Sequence, residues 1–290
     1  MTAVDDAPRL LLSSADAERV QHVVDQLAGI ERLGVAFSGG VDSAVVLGLA
    51  ARALGQDRVV ALLGVSASLA ARERELAISI AQQLGVELVE VRTRELELAE
   101  YRRNDGTRCF HCKNTLFTTI DNEVVRAHGL QAVAYGENAD DARATDRPGQ
   151  RAAREHQVLR PLAEAGLDKA AVRRIAAALG LPVADKAATP CLASRIAPFT
   201  EVTEEKLQQV ETVEAMLLDL GFTDVRVRHL GADARIELPE EQLSLAAQEA
   251  LRTQIIAAAR AAGFRNVSLS LEGLRSGEFS RTLLDSAHDA

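Results

Sequence analysis

Between residues 33 and 135 the chain alternates short β-like runs with helical patterns, and this alternation restricts its fold more than any other feature. Leu33–Phe37, Arg58–Val65, Val86–Val91 and Gln131–Tyr135 read as strands, while Asp42–Leu54, Leu69–Leu84 and Cys112–His128 read as helices. Strands separated by helices pair in parallel through crossover connections, so an α/β fold with a parallel sheet and helices on both faces is expected. Ligands of such sheets bind beyond the carboxyl ends of the strands. At that end the first strand runs into Ser38-Gly39-Gly40-Val41-Asp42-Ser43.

Glycines at a strand–helix joint let the backbone turn sharply and approach a ligand closely. Successive N–H groups at a helix start, with the helix dipole behind them, make an anion site. Ser38 and Ser43 add hydroxyl donors, so the joint suits a phosphate or pyrophosphate. It lacks both the lysine of G-x-x-x-x-G-K-[ST] and the pattern G-x-G-x-x-G. An isolated S-G-G would suit an ordinary tight turn equally well; the whole S-G-G-x-D-S favours the anion site.

After Glu137 the order weakens: GENADDARATDRPGQ is loop-like, a helix fits Leu167–Leu179, and Pro182–Pro198 reads as another loop. From Thr203 the pattern changes. Thr203 is a helix N-cap with Glu204 and Glu205 in the first turn, although Lys206 denies it a full capping box. Strands at Val225–His229 and Ala234–Leu238, a helix to about Ala262 and a strand at Asn266–Leu271 follow. Two domains are expected, residues 1–200 with the parallel sheet and 201–290 as a small α+β domain.

The chain has 290 residues, 47% of them hydrophobic, enough for one large or two modest cores. No run approaches the roughly 18 apolar residues of a membrane span. The start, MTAVDDAPRLLLSSAD, has acids before a short apolar patch and does not read as a signal peptide. Three cysteines, an odd number, argue against a disulfide framework and for a reducing cytoplasm. The net charge of −9 argues against a protein that holds nucleic acid through phosphate contacts. No membrane partner is expected either.

Cys109 and Cys112 form RCFHCK, and Cys191 sits in TPCLASRI. Four-cysteine zinc is excluded by count. Zinc on three cysteines with His111 or another histidine and unconnected buried thiols stay open, whereas the pair does not follow the first strand of a βαβ unit as thioredoxin-like chemistry would require. All three cysteines read as lying in loops or loop edges. Arg108, Lys113 and Arg195 stand close in sequence and favour thiolates. Arg226 and Arg228, two apart on a strand, point to one face and suit a phosphate; a solvated charged face is the plain alternative. Gly136, Asn138, Asp140 and Asp141 follow the fourth strand, where a glycine can admit a nucleotide and acids can hold Mg²⁺. Asp146-Arg147-Pro148-Gly149 has the same status. RELELAE at 94–100 reads as a solvated face, and His111, His128, His156 and His229 as surface or supporting groups.

FSGGVDS resembles the PP-loop of the ATP pyrophosphatases, which have the adenine nucleotide alpha hydrolase-like fold. The resemblance implies that Ser38, Gly39, Gly40 and Ser43 grip the β,γ-phosphates of ATP and that Asp42 helps to place Mg²⁺. NDGTRCFHCKNTLF, YGENADD, DRPGQRAAREHQVLRPLAEAGLDKAAVRRIAAALGLP, DKAATPCLASRIAPF, VRVRHLGADARIELP and GFRNVSLSLEGLRSG carry it further. With the PP-loop they extend from about residue 33 to 277, and the chain is similar to the LarE family, the ATP-dependent sulfur transferases of nickel-pincer nucleotide biosynthesis. APFT departs from the Pro-Tyr-Gly often found there, which bears on the backbone after Arg195.

This resemblance implies that a carboxylate of pyridinium-3,5-biscarboxylic acid mononucleotide is adenylated and converted to a thiocarboxylate. Arg226 and Arg228 match the element that binds the substrate phosphate, with Ser194, Arg195 and Glu214 as companions. Some members take the sulfur from one cysteine, here Cys191. Others hold a [4Fe-4S] cluster on three, here Cys109, Cys112 and Cys191, and the count of three favours the cluster. A homo-oligomer is implied too. The rival readings are a tRNA-thiolating PP-loop enzyme and a nucleotide-sensing module without turnover.

Overall fold

A computed structural model describes residues 11–144 and 148–274. The chain falls into two compact units, residues 1–93 with 112–189 and residues 94–111 with 190–290. Asp146 and Arg147 lie outside the described residues.

The first unit holds a four-stranded parallel sheet in the order β3-β2-β1-β4, with β1 at Leu33–Ala36, β2 at Val59–Val65, β3 at Glu87–Arg92 and β4 at Ala132–Tyr135. β2 reads Val-Val-Ala-Leu-Leu-Gly-Val and its first five residues are buried, the unbroken apolar run of a strand covered on both faces. On one face, Leu33, Val35, Ala61 and Leu63 share a core with helices α1 (Ser14–Leu27), α2 (Val41–Leu54) and α3 (Ala71–Gln83). Helix α4 spans Arg108–Thr119, while α5 (Lys169–Ala178) joins the first-face core. The opposite face meets α4: a Cβ at Gly64 would lie 3.1 Å from Leu116 Cδ1. Helices therefore cover both faces, as the alternation requires. The outer edge of β4 is also occupied, because Tyr135 N–H donates to Leu159 O at 3.0 Å and Leu159 N–H to Val133 O at 2.8 Å. Arg174 grips Asp16 through a fork of 2.8 and 2.9 Å, tying α5 to α1.

Two local expectations change. The helix expected over Cys112–His128 begins at Arg108 instead, and after Thr119 it continues as a wide turn over Ile120–Val124. Its start is set by Asp105, whose Oδ1 accepts the Thr107 N–H at 2.8 Å. Cys109 and Cys112 consequently stand on the first turns of a helix rather than in a loop. The segment read as a loop after Glu137 contains helices at Ala139–Arg143 and Pro148–Glu155. Asn138 caps the first of these, accepting the N–H groups of Asp140 and Asp141 at 3.0 Å each. Asn, Asp and Pro mark helix starts as well as turns, and composition cannot tell the two uses apart.

The second unit carries β5 (Arg226–Leu230) antiparallel to β6 (Asp233–Glu237), with β7 (Asn266–Leu269) parallel to β6. Helices α6 (Glu204–Asp219) and α7 (Glu249–Ala261) accompany this sheet. Thr203 caps α6, accepting the Lys206 N–H at 3.3 Å. The division expected at residue 200 differs from the one found at 189/190, and residues 94–111 join this unit. Hydrogen bonds between the two segments explain the difference: Asn104 Nδ2 donates to Ala197 O at 2.8 Å, and Val202 N–H to Arg102 O at 2.9 Å. Nor is RELELAE a solvated face throughout, because Glu95 is buried in a short helical turn. Among the described residues, no helix is long and apolar enough to cross a membrane.

Candidate functional site

The joint after β1 turns as its glycines require. Gly39 has a φ of +74°, a region closed to most side chains, and Gly40 caps α2 without a side-chain cap bond. Ser43 Oγ donates to Gly40 O at 3.0 Å and lies 3.3 Å from Ser38 Oγ. Ser38 N–H also donates to Ser43 Oγ at 3.3 Å, so the buried Ser43 hydroxyl holds the shape of the loop. Gly136 is the tightest contact. A Cβ there would fall 2.4 Å from Ser43 N, so only glycine lets the end of β4 pass over the first turn of α2.

Asp42 projects from that turn into a polar group. Its Oδ1 accepts Asn138 Nδ2 at 2.9 Å, and its Oδ2 lies 2.5 Å from Lys169 Nζ. Asn138 Nδ2 also donates to Asp141 Oδ2 at 2.8 Å, and the Lys169 N–H to Asp140 Oδ2 at 2.9 Å. Asp42, Asn138, Asp140 and Asp141 are thus brought together. Lys169 was not foreseen. The local signal was Asp168, which caps α5 through Ala171 N–H at 2.7 Å and sets Lys169 at its first position. The neighbouring Glu137 is buried and bonded to the Tyr135 hydroxyl; burial pushes its carboxyl up, opposed by Arg160 and Lys113.

In the second unit, Arg226 and Arg228 share one face of β5 and both are buried, which sets aside the solvated-face alternative. Arg228 Nε donates to Glu237 at 2.9 Å and its Nη1 to Ser194 O at 3.1 Å. Arg226 pairs with Asp224 at 2.8 Å. Burial pulls the Arg226 guanidinium below its ordinary value, and the positive charge of Arg195 adds to this. Arg195, itself 1% exposed, forks onto Glu214 at 2.9 and 3.2 Å and donates to Ser194 Oγ at 2.9 Å. Glu214 also accepts the Val227 N–H at 2.8 Å, binding α6 to β5.

Cys191 caps the short turn Leu192–Arg195 and is exposed, as is Cys109, while Cys112 is half-buried; none of the three forms a disulfide. Burial pulls the Arg108 guanidinium down, but neighbouring Cys191, Cys109 and Tyr101 oppose this, and it stands above its ordinary value. Cys191 and Cys109 therefore both stand within electrostatic reach of Arg108.

A family model described as NAD synthase matches residues 15–117. An uncharacterized protein of Synechocystis sp. is 41% identical over 88% of this chain and 94% of its own length. The pyridinium-3,5-bisthiocarboxylic acid mononucleotide synthase of Lactiplantibacillus plantarum is 34% identical over 90% of this chain and 93% of its own.

The chain belongs to the LarE family.

An uncharacterized protein of Methanocaldococcus jannaschii is 31% identical over 60% of this chain and 66% of its own length. Membership in the LarE family makes the chain an enzyme with a PP-loop domain, in keeping with the parallel sheet and the glycine joint. The oxygen donors around Asp42 suit Mg²⁺, a hard cation that takes carboxylates and phosphate oxygens. Cysteine thiolates are the donor type of iron–sulfur ligation, and none of the three cysteines is tied up in a disulfide. Among the described residues, however, no three Cys, His, Asp or Glu side chains stand close enough together to hold a metal ion.

Proposed function

We propose that this chain uses ATP to adenylate a carboxylate of pyridinium-3,5-biscarboxylic acid mononucleotide and then replaces AMP with sulfur, giving a thiocarboxylate for the nickel-pincer nucleotide. The observation that carries the reading is the 34% identity with the Lactiplantibacillus synthase over almost the whole of both chains. The glycine turn at the start of α2, capped by Gly40 without a side-chain cap bond, agrees with it.

In the first half-reaction a carboxylate oxygen of the substrate attacks the α-phosphorus of ATP. An O–P bond forms, the bond to the β-phosphate oxygen breaks, and pyrophosphate leaves with the released charge. Ser38, Gly39, Gly40 and Ser43 supply and shape the donors around that charge, where fixed dipoles act most strongly. Asp42 and Asp141 would hold Mg²⁺ against the phosphates, and Lys169 would exchange its ion pair with Asp42 for a phosphate oxygen. Gly136 keeps the approach to this turn free of a side chain.

In the second half-reaction sulfur attacks the acyl carbon, a C–S bond forms, and AMP departs with its oxygen. Arg226 and Arg228 would hold the substrate phosphate, assisted by Ser194 and Arg195 beside Cys191. A [4Fe-4S] cluster on Cys109, Cys112 and Cys191 would supply a labile sulfide when bound. With no cluster, Cys191 itself would give up its sulfur and become dehydroalanine. On this reading the second unit binds substrate, and the protein is a cytoplasmic homo-oligomer.

Anaerobic incubation with ATP, Mg²⁺, the pyridinium substrate and sulfide tests the reading. Pyrophosphate release should depend on the pyridinium substrate, and mass spectrometry should find oxygen replaced by sulfur. Pyrophosphate released regardless of that substrate, or thiolation of bulk tRNA instead, would count against it.

A further inference from the structure

The segment that carries Cys191 is fastened through its backbone carbonyls. Arg195 Nη1 donates to Pro190 O at 2.6 Å and Cys191 O at 3.3 Å. Arg108 Nη1 donates to Ala193 O at 2.8 Å. Asn104 Nδ2 donates to Ile196 O at 3.2 Å and Ala197 O at 2.8 Å. Two of these side chains, Asn104 and Arg108, come from the far-removed segment 94–111, and they are joined to each other: Asn104 Oδ1 accepts Arg108 Nη1 at 2.5 Å.

Asn104 is built for this place. It is 0% exposed, and its φ of +55° is a conformation that Asn tolerates better than most residues. Both amide hydrogens and the amide oxygen have partners, and its own carbonyl accepts the Phe199 N–H at 3.1 Å. A buried polar group so fully satisfied specifies one arrangement of the chain around it. Meanwhile Cys191 is an exposed residue, although the backbone around it is tied down.

We infer that Asn104 and Arg108 are positioning residues of the sulfur-delivery half-reaction, locking residues 190–197 so that the Cys191 sulfur is presented in one place. This rests on the function proposed above. Sulfur and acyl carbon must meet within a few tenths of an ångström, and a misplacement of about 1 Å costs on the order of 100-fold in rate. Adenylation draws on Ser38–Ser43, Asp42 and Lys169 instead, so the two half-reactions should respond differently to loss of the clamp.

Arg108→Lys and Asn104→Asp test this in the full-length, cluster-loaded protein. Lys keeps the charge but not the planar fork that serves Asn104 and Ala193 together. Asp keeps the shape but loses both donors to Ile196 and Ala197. In each variant thiocarboxylate formation should fall about tenfold or more with an unchanged KM for the pyridinium substrate. Pyrophosphate release should stay within about threefold. Hydrogen–deuterium exchange should speed up over residues 190–199 and remain as it was over 38–43. The inference is overturned if both half-reactions fall together in both variants, if neither falls, or if exchange over 190–199 is unaltered in both. Should the unmutated protein form no thiocarboxylate, the functional reading itself fails, and the exchange measurement still decides whether the clamp exists.

Discussion

Lys169 Nζ lies 2.5 Å from Asp42 Oδ2, an ion pair between residues 127 positions apart. It places a cation beside the first turn of α2, where a triphosphate would bring its charge. Asp42→Ala should abolish pyrophosphate release. Lys169→Met should slow it by about 100-fold, the usual loss when one fixed donor to developing charge is removed. Lys169 is 37% exposed on its side chain, so thermal stability should barely change. Initial rates and melting curves on the same preparations check both statements.

Gly136→Ala adds one methyl group at a point 2.4 Å from Ser43 N. The backbone must move, at a cost of about 1–3 kcal/mol for overpacking, and it moves at the start of α2. A protein that melts lower and binds ATP at least tenfold more weakly in calorimetry is expected.

Glu214→Ala would leave the buried Arg195 guanidinium without its fork and the Val227 N–H without its acceptor. Removing one partner of a buried pair costs about 3–5 kcal/mol. Urea unfolding should show that loss as a lower midpoint.

Cys191→Ala should keep substrate-dependent pyrophosphate release and end sulfur delivery. Multiple turnovers of thiocarboxylate by this variant would contradict both sulfur routes proposed for Cys191. Where the unmutated protein turns over, the mass of the spent chain separates those routes, since loss of hydrogen sulfide marks the sacrificial one.

His229 is buried beside Phe264; among the described residues its Nδ1 has no hydrogen-bond partner, and its Nε2 lies 2.9 Å from Gln209 Oε1. Burial, then the charge of Lys206, depresses its pKa from the ordinary 6.5. In the window below 6.5 the unfolded chain binds the proton and the folded one does not, so stability falls as the pH drops through it. Melting temperatures taken from pH 7.5 down to 5.5 should decline, and His229→Gln should decline less. Equal slopes for the two proteins would contradict the assignment.

Most of the first unit was legible because its signals are local. Val59–Val65 is apolar without interruption, and Ser38–Ser43 needs only its own glycines to turn. The cap at Thr203 and the shared face of Arg226 and Arg228 are likewise properties of neighbouring residues. The helices inside 137–155 were illegible for the opposite reason, since their Asn, Asp and Pro serve turns equally well. The sequence by itself therefore determined the succession of strands, the glycine turn after β1 and the family. Tertiary structure alone decided that Lys169 answers Asp42, that Arg226 and Arg228 are buried among carboxylates, and that residues 94–111 fasten the backbone around Cys191. Each of these depends on a side chain reaching a partner far along the chain, and distance through space leaves no periodic trace in the order of residues.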